Sequence, residues 1–179
     1  MLRINFLGMP FSGKTYWAVR VTNYLRDKDY IIDYIEEPFK DWAYEKRRPP
    51  DLAVQIEGFG IQLRRELSRL ESNVGIVTDS GLWTVCYYLR RHTKRIDSFI
   101  DISREMDNKY KTINFLLQPM VSIQHTEGEL AGRWDLGDFP QRKEGWNQFR
   151  AMLRNAQVKF IEVPIADRDR IIMNEIAKI

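Results

Sequence analysis

The sequence predicts an α/β fold, a three-layer sandwich in which about five parallel strands carry helices on both faces. Two observations point there. Short apolar runs alternate with amphipathic stretches along the whole chain, the pattern of strands joined by helical crossovers. The first run, Leu2–Leu7, leads directly into Gly8-Met9-Pro10-Phe11-Ser12-Gly13-Lys14-Thr15. That octapeptide fits G-x-x-x-x-G-K-[ST] at every fixed position, and the motif belongs between a strand and a helix.

Each element has its own justification. A helix starting near Thr15 continues over residues 16–26, with Trp17, Val21, Tyr24 and Leu25 at helical spacing. Residues 30–35 form a second strand, which Pro38 stops because proline cannot donate to a ladder. Asp51 is the expected N-cap of a long helix over 51–70, although Gly58 and Gly60 weaken its middle. Residues 74–78 make a short buried strand closing on Asp79-Ser80, followed by helices over 82–91 and 96–108. A strand over 112–117 is broken by Pro119. Gly128, Gly132, Gly137 and Pro140 make residues 127–141 a mobile loop, a lid of roughly 127–142. A helix over 144–155, a strand over 159–163 and a helix over 167–179 complete the chain. With no internal repeat and no Ser/Gly-rich linker, one domain over residues 1–179 is expected, with ligands bound beyond the carboxyl ends of the strands.

The composition narrows the class. Hydrophobic residues make up 44% of the 179, enough for a sizeable core, and no apolar run approaches the roughly 18 residues of a membrane span. Nothing at the start resembles a signal peptide, and Cys86 is the single cysteine, so neither a disulfide framework nor a thiol metal cluster is expected. These features predict a cytoplasmic protein with no membrane partner, and a buried, inert Cys86. The net charge of +3 is mild. Its distribution says more: Lys46-Arg47-Arg48, Arg64-Arg65-Arg69 and Arg90-Arg91-His92-Lys94-Arg95 cluster in the middle third, suited to substrate phosphates or a nucleic-acid backbone, or to a solvated helix face. His92 and His125 stand apart with no ligand spacing, and Trp17, Trp83 and Trp146 are expected in the core.

The octapeptide implies a bound nucleoside triphosphate. Its glycines let successive N–H groups face an anion, Lys14 can reach the β- and γ-phosphates, and the Thr15 hydroxyl can ligate Mg²⁺. Asp79 ends a hydrophobic strand, where a carboxylate would hold Mg²⁺ directly or through water; capping the next helix is its other use. Glu36 and Glu37 also end a strand, and Pro38 fixes Glu37 at the tip and turns the chain toward Trp42. A carboxylate there can take the proton of an attacking hydroxyl, which an alcohol acceptor needs and an ionised phosphate does not. Gly132-Arg133-Trp134 and Arg142 lie on or after the lid, where an arginine can neutralise charge on a transferring phosphoryl group. Gln55 and Gln62, two turns apart on the long helix, could read a pyrimidine edge, with Arg65 near the same face to hold a phosphate; an ordinary polar helix surface explains all three equally.

In this order, the phosphate loop, strand-end carboxylate, Asp79-Ser80 and lid arginine make the chain resemble the thymidylate kinase-like branch of P-loop kinases. Glu37-Pro38-x-x-x-Trp42 is similar to the deoxyribonucleoside kinases, whose corresponding glutamate is the general base. Those enzymes carry an arginine directly after the acidic residue, where this chain has Ser80 and Gly81. A group of small phage P-loop proteins is similar over more segments: the loop itself, Lys40-Asp41-Trp42-Ala43, the stretch from Gln62 to Glu66, Val77-Thr78-Asp79-Ser80 and Gly132-Arg133. Some of these are 5-hydroxymethyluracil DNA kinases. The resemblance implies a P-loop kinase using ATP and Mg²⁺, with 5-hydroxymethyl-deoxyuridine in phage DNA as the acceptor. It also implies Glu37 as base, Lys14 and Arg133 as clamps on the transferring group, and Thr15 and Asp79 as Mg²⁺ holders; Arg133 is preferred over Arg142 on this ground. A kinase of free deoxynucleosides or deoxynucleoside monophosphates, and a nucleotide-dependent switch or NTPase, are the alternatives.

Overall fold

Five strands pair in the order β2-β3-β1-β4-β5, and every neighbouring pair is parallel. They are β1 (Leu2–Leu7), β2 (Ile32–Ile35), β3 (Gly75–Thr78), β4 (Lys111–Leu117) and β5 (Ile161–Val163). The computed structural model describes residues 1–39, 50–121 and 139–179. Among these, the helices are α1 (Lys14–Arg26), α2 (Leu52–Leu70), α3 (Gly81–His92), α4 (Asp97–Lys109), α5 (Phe139–Asn155) and α6 (Arg168–Ile176). The expected α/β sandwich is present.

Alternation along β1 sorts the layers. Ile4 and Phe6 face one side, where Trp17, Val21 and Leu25 of α1 and Ile172 and Ile176 of α6 cover them. Leu7 faces the other side, against a core from Phe59 of α2, Leu82 and Leu89 of α3, Met106 of α4 and Phe149 and Leu153 of α5. Coverage on both faces shows most plainly in the sequence at β3, whose four residues are all buried, and in Phe115–Leu117 of β4. Trp17, Trp83, Trp146 and Cys86 are all buried. Burial pushes the Cys86 thiol up to about 12, so it stays a protonated, unreactive group beside Ser103.

The second face is not wholly apolar. Arg3 and Asn5, also on β1, point into it and are fully buried. The Arg3 guanidinium donates to Glu66 of α2 at 2.8 Å and to Asp107 of α4. Asp107 also accepts from the Trp83 indole and from Asn114 of β4, each at 2.9 Å, and Asn5 donates to Asn114 at 2.7 Å. Burial works against the Arg3 charge, but the carboxylates of Glu66 and Asp107 hold its pKa above the ordinary arginine value. This chain of polar groups joins α2, β1, α4 and β4 through the interior.

Several ends shift by one to three residues, with β2 starting at Ile32, β5 at Ile161 and α6 running from Arg168 to Ile176, and two readings of the helices change more. Gly58 does not weaken α2, because a Cβ there would lie 1.8 Å from Cζ of Phe39. The glycine opens a slot in which the Phe39 ring docks, and the helix runs on with Asp51 capping it through the Val54 N–H at 3.1 Å. At the other end of the chain, α5 starts at Phe139, so residues 139–142 belong to a helix rather than to the lid. Pro140 is compatible with that start, since first-turn N–H groups lack intrahelical partners anyway. The rest of the expected lid, residues 127–138, lies outside the described residues.

Candidate active site

Register brings the site together. Asn5 of β1 aligns with Thr78 of β3, and Thr78 aligns with Ile35 of β2. β2 and β3 therefore end at one level and β1 runs two residues further to Leu7, and the segments after them, 8–15, 36–39 and 79–81, leave the sheet along one edge. This is the carboxyl edge, where ligands bind in open parallel sheets.

The phosphate loop owes its shape to three residues with left-handed or related backbone: Gly8 at φ 147°, Phe11 at φ 57° and Gly13 at φ 81°. Alternating signs of φ turn successive N–H groups to one side and make a concavity for an anion. Gly8 has no room for a side chain, since a Cβ would lie 2.8 Å from the Leu117 carbonyl oxygen. Phe11 holds the same region without glycine's freedom, a strained conformation of the kind found at ligand sites. Gly13 then caps α1, whose N-terminus carries Lys14 and Thr15. The Lys14 amine donates to the Met9 carbonyl at 3.0 Å, folding back over the loop.

Asp79 is the hub. It is 1% exposed, and its Oδ2 accepts from the Thr15 hydroxyl at 2.6 Å and from the Tyr34 phenol at 2.8 Å. Its Oδ1 accepts from the Glu37 backbone N–H at 3.0 Å. The capping alternative finds no support, because the N-cap of α3 is Ser80. Gly81, at φ 58°, begins α3 hard against the Asn5 side chain and joins this turn to the buried polar chain. Burial, followed by the Asp79 charge, drives the Tyr34 pKa far above the ordinary tyrosine value, so Tyr34 remains a donor.

The other candidates divide. Glu37 is half-buried at the tip of β2, anchored by its own N–H and by Phe39 in the Gly58 slot. Arg65 donates to the Glu36 carbonyl at 3.2 Å and so holds the same tip from α2. Gln55 and Gln62 share the buried stripe of α2. Gln62 donates to Glu66 at 2.7 Å and is part of the interior polar chain. Gln55, in the first turn after the Asp51 cap, is 2% exposed with its carbonyl oxygen unbonded among the described residues. A buried orphan acceptor of this kind calls for a partner. Arg142 is buried on α5 and donates to the Met120 carbonyl at 3.3 Å. Trp42 and Arg133 lie outside the described residues.

Two contributors gave no sequence signal strong enough to single out. Tyr34 looks like one more aromatic in a strand. Arg168 sits in Asp167-Arg168-Asp169-Arg170, which suggests a solvated charged turn. Instead its guanidinium is buried, donating to the Ser12 carbonyl at 2.9 Å and the Gln118 carbonyl at 2.6 Å, and desolvation lowers its pKa. It binds the phosphate loop to the end of β4.

For Mg²⁺, the Thr15 hydroxyl and Asp79 carboxylate fit as hard oxygen donors held side by side. Among the described residues no cluster of three or more His, Cys, Asp or Glu could hold a metal. A site completed by nucleotide phosphates needs only one or two protein oxygens.

Sheet order, loop and strand-end aspartate define a P-loop domain of the α/β class. The family model described as AAA domain matches residues 3–170, and the chain belongs to that family. No curated protein matches the sequence. Among solved structures, deoxyadenosine kinase from M. mycoides with bound dATP superposes with a TM-score of 0.59 at 15% identity, covering 99% of this chain and all of that one. The same kinase with bound dCTP gives 0.54 at 17% identity and equal coverage. At these identities the likeness is one of fold. No helix among the described residues is long and apolar enough to cross a membrane.

Proposed function

We propose that the protein is an ATP-dependent phosphotransferase acting on a hydroxyl acceptor, most specifically 5-hydroxymethyl-deoxyuridine in DNA. One observation carries the reading: the Asp79 carboxylate bonds both the Thr15 hydroxyl and the Glu37 N–H. The strand tip with the candidate base is thereby tied to the phosphate loop by a single side chain. A nucleotide switch has no need of such a tie, whereas transfer to an alcohol requires base and phosphate in one frame.

In this reading Lys14 leaves the Met9 carbonyl for the β- and γ-phosphates of ATP, and the loop N–H groups receive the remaining charge. Thr15 keeps its proton on Asp79, which leaves its oxygen for Mg²⁺; the ion would offset charge on the phosphates. Glu37 accepts the acceptor's hydroxyl proton as its oxygen bonds to the γ-phosphorus and the bond to ADP breaks. Gln55, with its unpaired carbonyl, is the group that meets a base edge. Arg133 as the remaining clamp and Trp42 as an acceptor-side aromatic belong to the same reading on sequence grounds, both lying outside the described residues. The fold shared with deoxyadenosine kinase supports a nucleoside-sized acceptor pocket, and the segments similar to phage DNA kinases support the polymeric one.

Labelled ATP offered in parallel with hydroxymethyluracil-containing DNA, thymidine and dTMP tests the acceptor. Label in the DNA is expected, and label on a free nucleoside or nucleotide alone would move the assignment to the deoxynucleoside kinases. Glu37→Gln should bind ATP normally and transfer about 10²- to 10⁴-fold more slowly. Unchanged turnover would remove the general-base role.

A further inference from the structure

We propose that the groove between α3 and α5 is a binding site for a nucleic-acid backbone, with Arg90, Arg91 and Lys94 as its phosphate contacts. The proposal rests on the polymeric-acceptor reading above and assigns it a place on the molecule. Two adjoining hollows of about 360 and 660 Å³ share Arg90 and Asn155 as common walls. The smaller is lined by Tyr87, Arg90, Arg91, Gln148, Ala151 and Asn155, donors and neutral groups with no carboxylate. The larger adds Lys94 and Arg104, together with Asp97 and Asp101. Asp101 is already engaged by Arg104 at 2.7 Å.

Many surface arginines outside this face are already engaged, although Arg64 and Arg95 are exposed without a carboxylate among the described residues. Arg20, Arg26, Arg69, Arg150, Arg154 and Arg170 each pair with a carboxylate. Arg90, Arg91 and Lys94 are exposed, and among the described residues none of them has a carboxylate partner. Arg90 and Arg91 face a hollow whose own lining has no carboxylate, with Glu144 beyond it held by Gln148 at 3.0 Å, while Lys94 shares the larger hollow with Asp97 and Asp101. Cations in excess of carboxylates are arranged for an external anion, and several in a row suit a polyanion.

Position argues for a polymer. α3 starts at Gly81, beside Asp79, and Arg90 lies nine residues further along the helix, roughly 14 Å at 1.5 Å per residue. That span is about four base steps at 3.4 Å per strand. A DNA strand bearing the acceptor has backbone phosphates at that distance, whereas a single acceptor nucleoside has none. The wall between is continuous: Tyr87 of the groove and Met9 of the phosphate loop both lie against Gly145 of α5, the Tyr87 hydroxyl 3.2 Å and the Met9 Cε 2.6 Å from where its Cβ would be.

The test is fluorescence anisotropy of a labelled 20-nucleotide DNA, single-stranded and duplex, across a salt series, with ATP binding as the check on folding. The triple variant Arg90→Ala/Arg91→Ala/Lys94→Ala should keep ATP affinity, lose DNA affinity by tenfold or more, and lower the salt slope by about one per cation removed. Lys28→Ala/Lys111→Ala, which removes exposed cations elsewhere, should leave both unchanged. An unaltered slope in the triple variant, equal loss in the control, or preference of the wild type for polyglutamate competitor over DNA overturns the proposal. DNA binding lost in the triple variant without any transfer to hydroxymethyluracil DNA by the wild type would retain the groove and discard the acceptor. Undiminished transfer to DNA by the triple variant would do the reverse.

Discussion

At the scale of single residues, Asp79 is buried and ionisable and must keep its donors. Thr15, Tyr34 and the Glu37 N–H supply them from three segments of the chain. Removing one donor leaves the carboxylate less compensated, at a cost of about 1–3 kcal/mol. Tyr34→Phe should therefore lower the unfolding free energy measured in urea by that amount. It should also reduce turnover while leaving the KM for ATP nearly unchanged, because the loop that binds phosphate is intact. Equal stability and turnover in Tyr34→Phe would mean that water replaces the phenol without loss. Of this hub, Thr15 and Asp79 were legible in the sequence through motif and strand end. Tyr34 was not, because its role depends on which way a strand residue points toward a carboxylate 45 positions away.

At the scale of elements, the docking of Phe39 on α2 decides where Glu37 sits. Gly58→Ala would push a methyl into the ring, with about 1–3 kcal/mol of overpacking expected. The strand tip should shift with it. Phosphotransfer should fall in Gly58→Ala, and Phe39→Leu in that background should restore part of the stability, a coupling that a thermal double-mutant cycle measures. Sequence reading took Gly58 as a weakness because helix propensity is a local property, whereas the reason for this glycine is a tertiary contact. The start of α5 was hidden the same way: glycines and Pro140 suggest a loop, yet proline is at home in a first turn. The strands are legible because short, mostly apolar segments buried on both faces alternate with helical ones, even where Arg3, Asn5 and Asn114 interrupt them.

At the scale of the whole molecule, the polar chain from Glu66 through Arg3, Asp107 and Asn114 to Asn5 fastens two helices and two strands behind the site. Arg3 and Glu66 are both fully buried, and removing one partner strands the other's charge. Glu66→Ala should destabilise by about 3–5 kcal/mol in chemical denaturation, far more than losing an exposed pair such as Lys178 with Glu175. A loss below 1 kcal/mol would mean that the buried charge finds another partner. Charges at positions 3, 66 and 107 in the sequence resemble surface residues, so this network was invisible until the layers were stacked.

The contact between Arg168 and the Ser12 carbonyl spans 156 positions. During synthesis the guanidinium that steadies the phosphate loop follows the loop by roughly 8–30 s at about 5–20 residues per second. The phosphate loop is thus made well before its own brace, so a nascent chain lacking α6 carries the whole motif without its completed cradle.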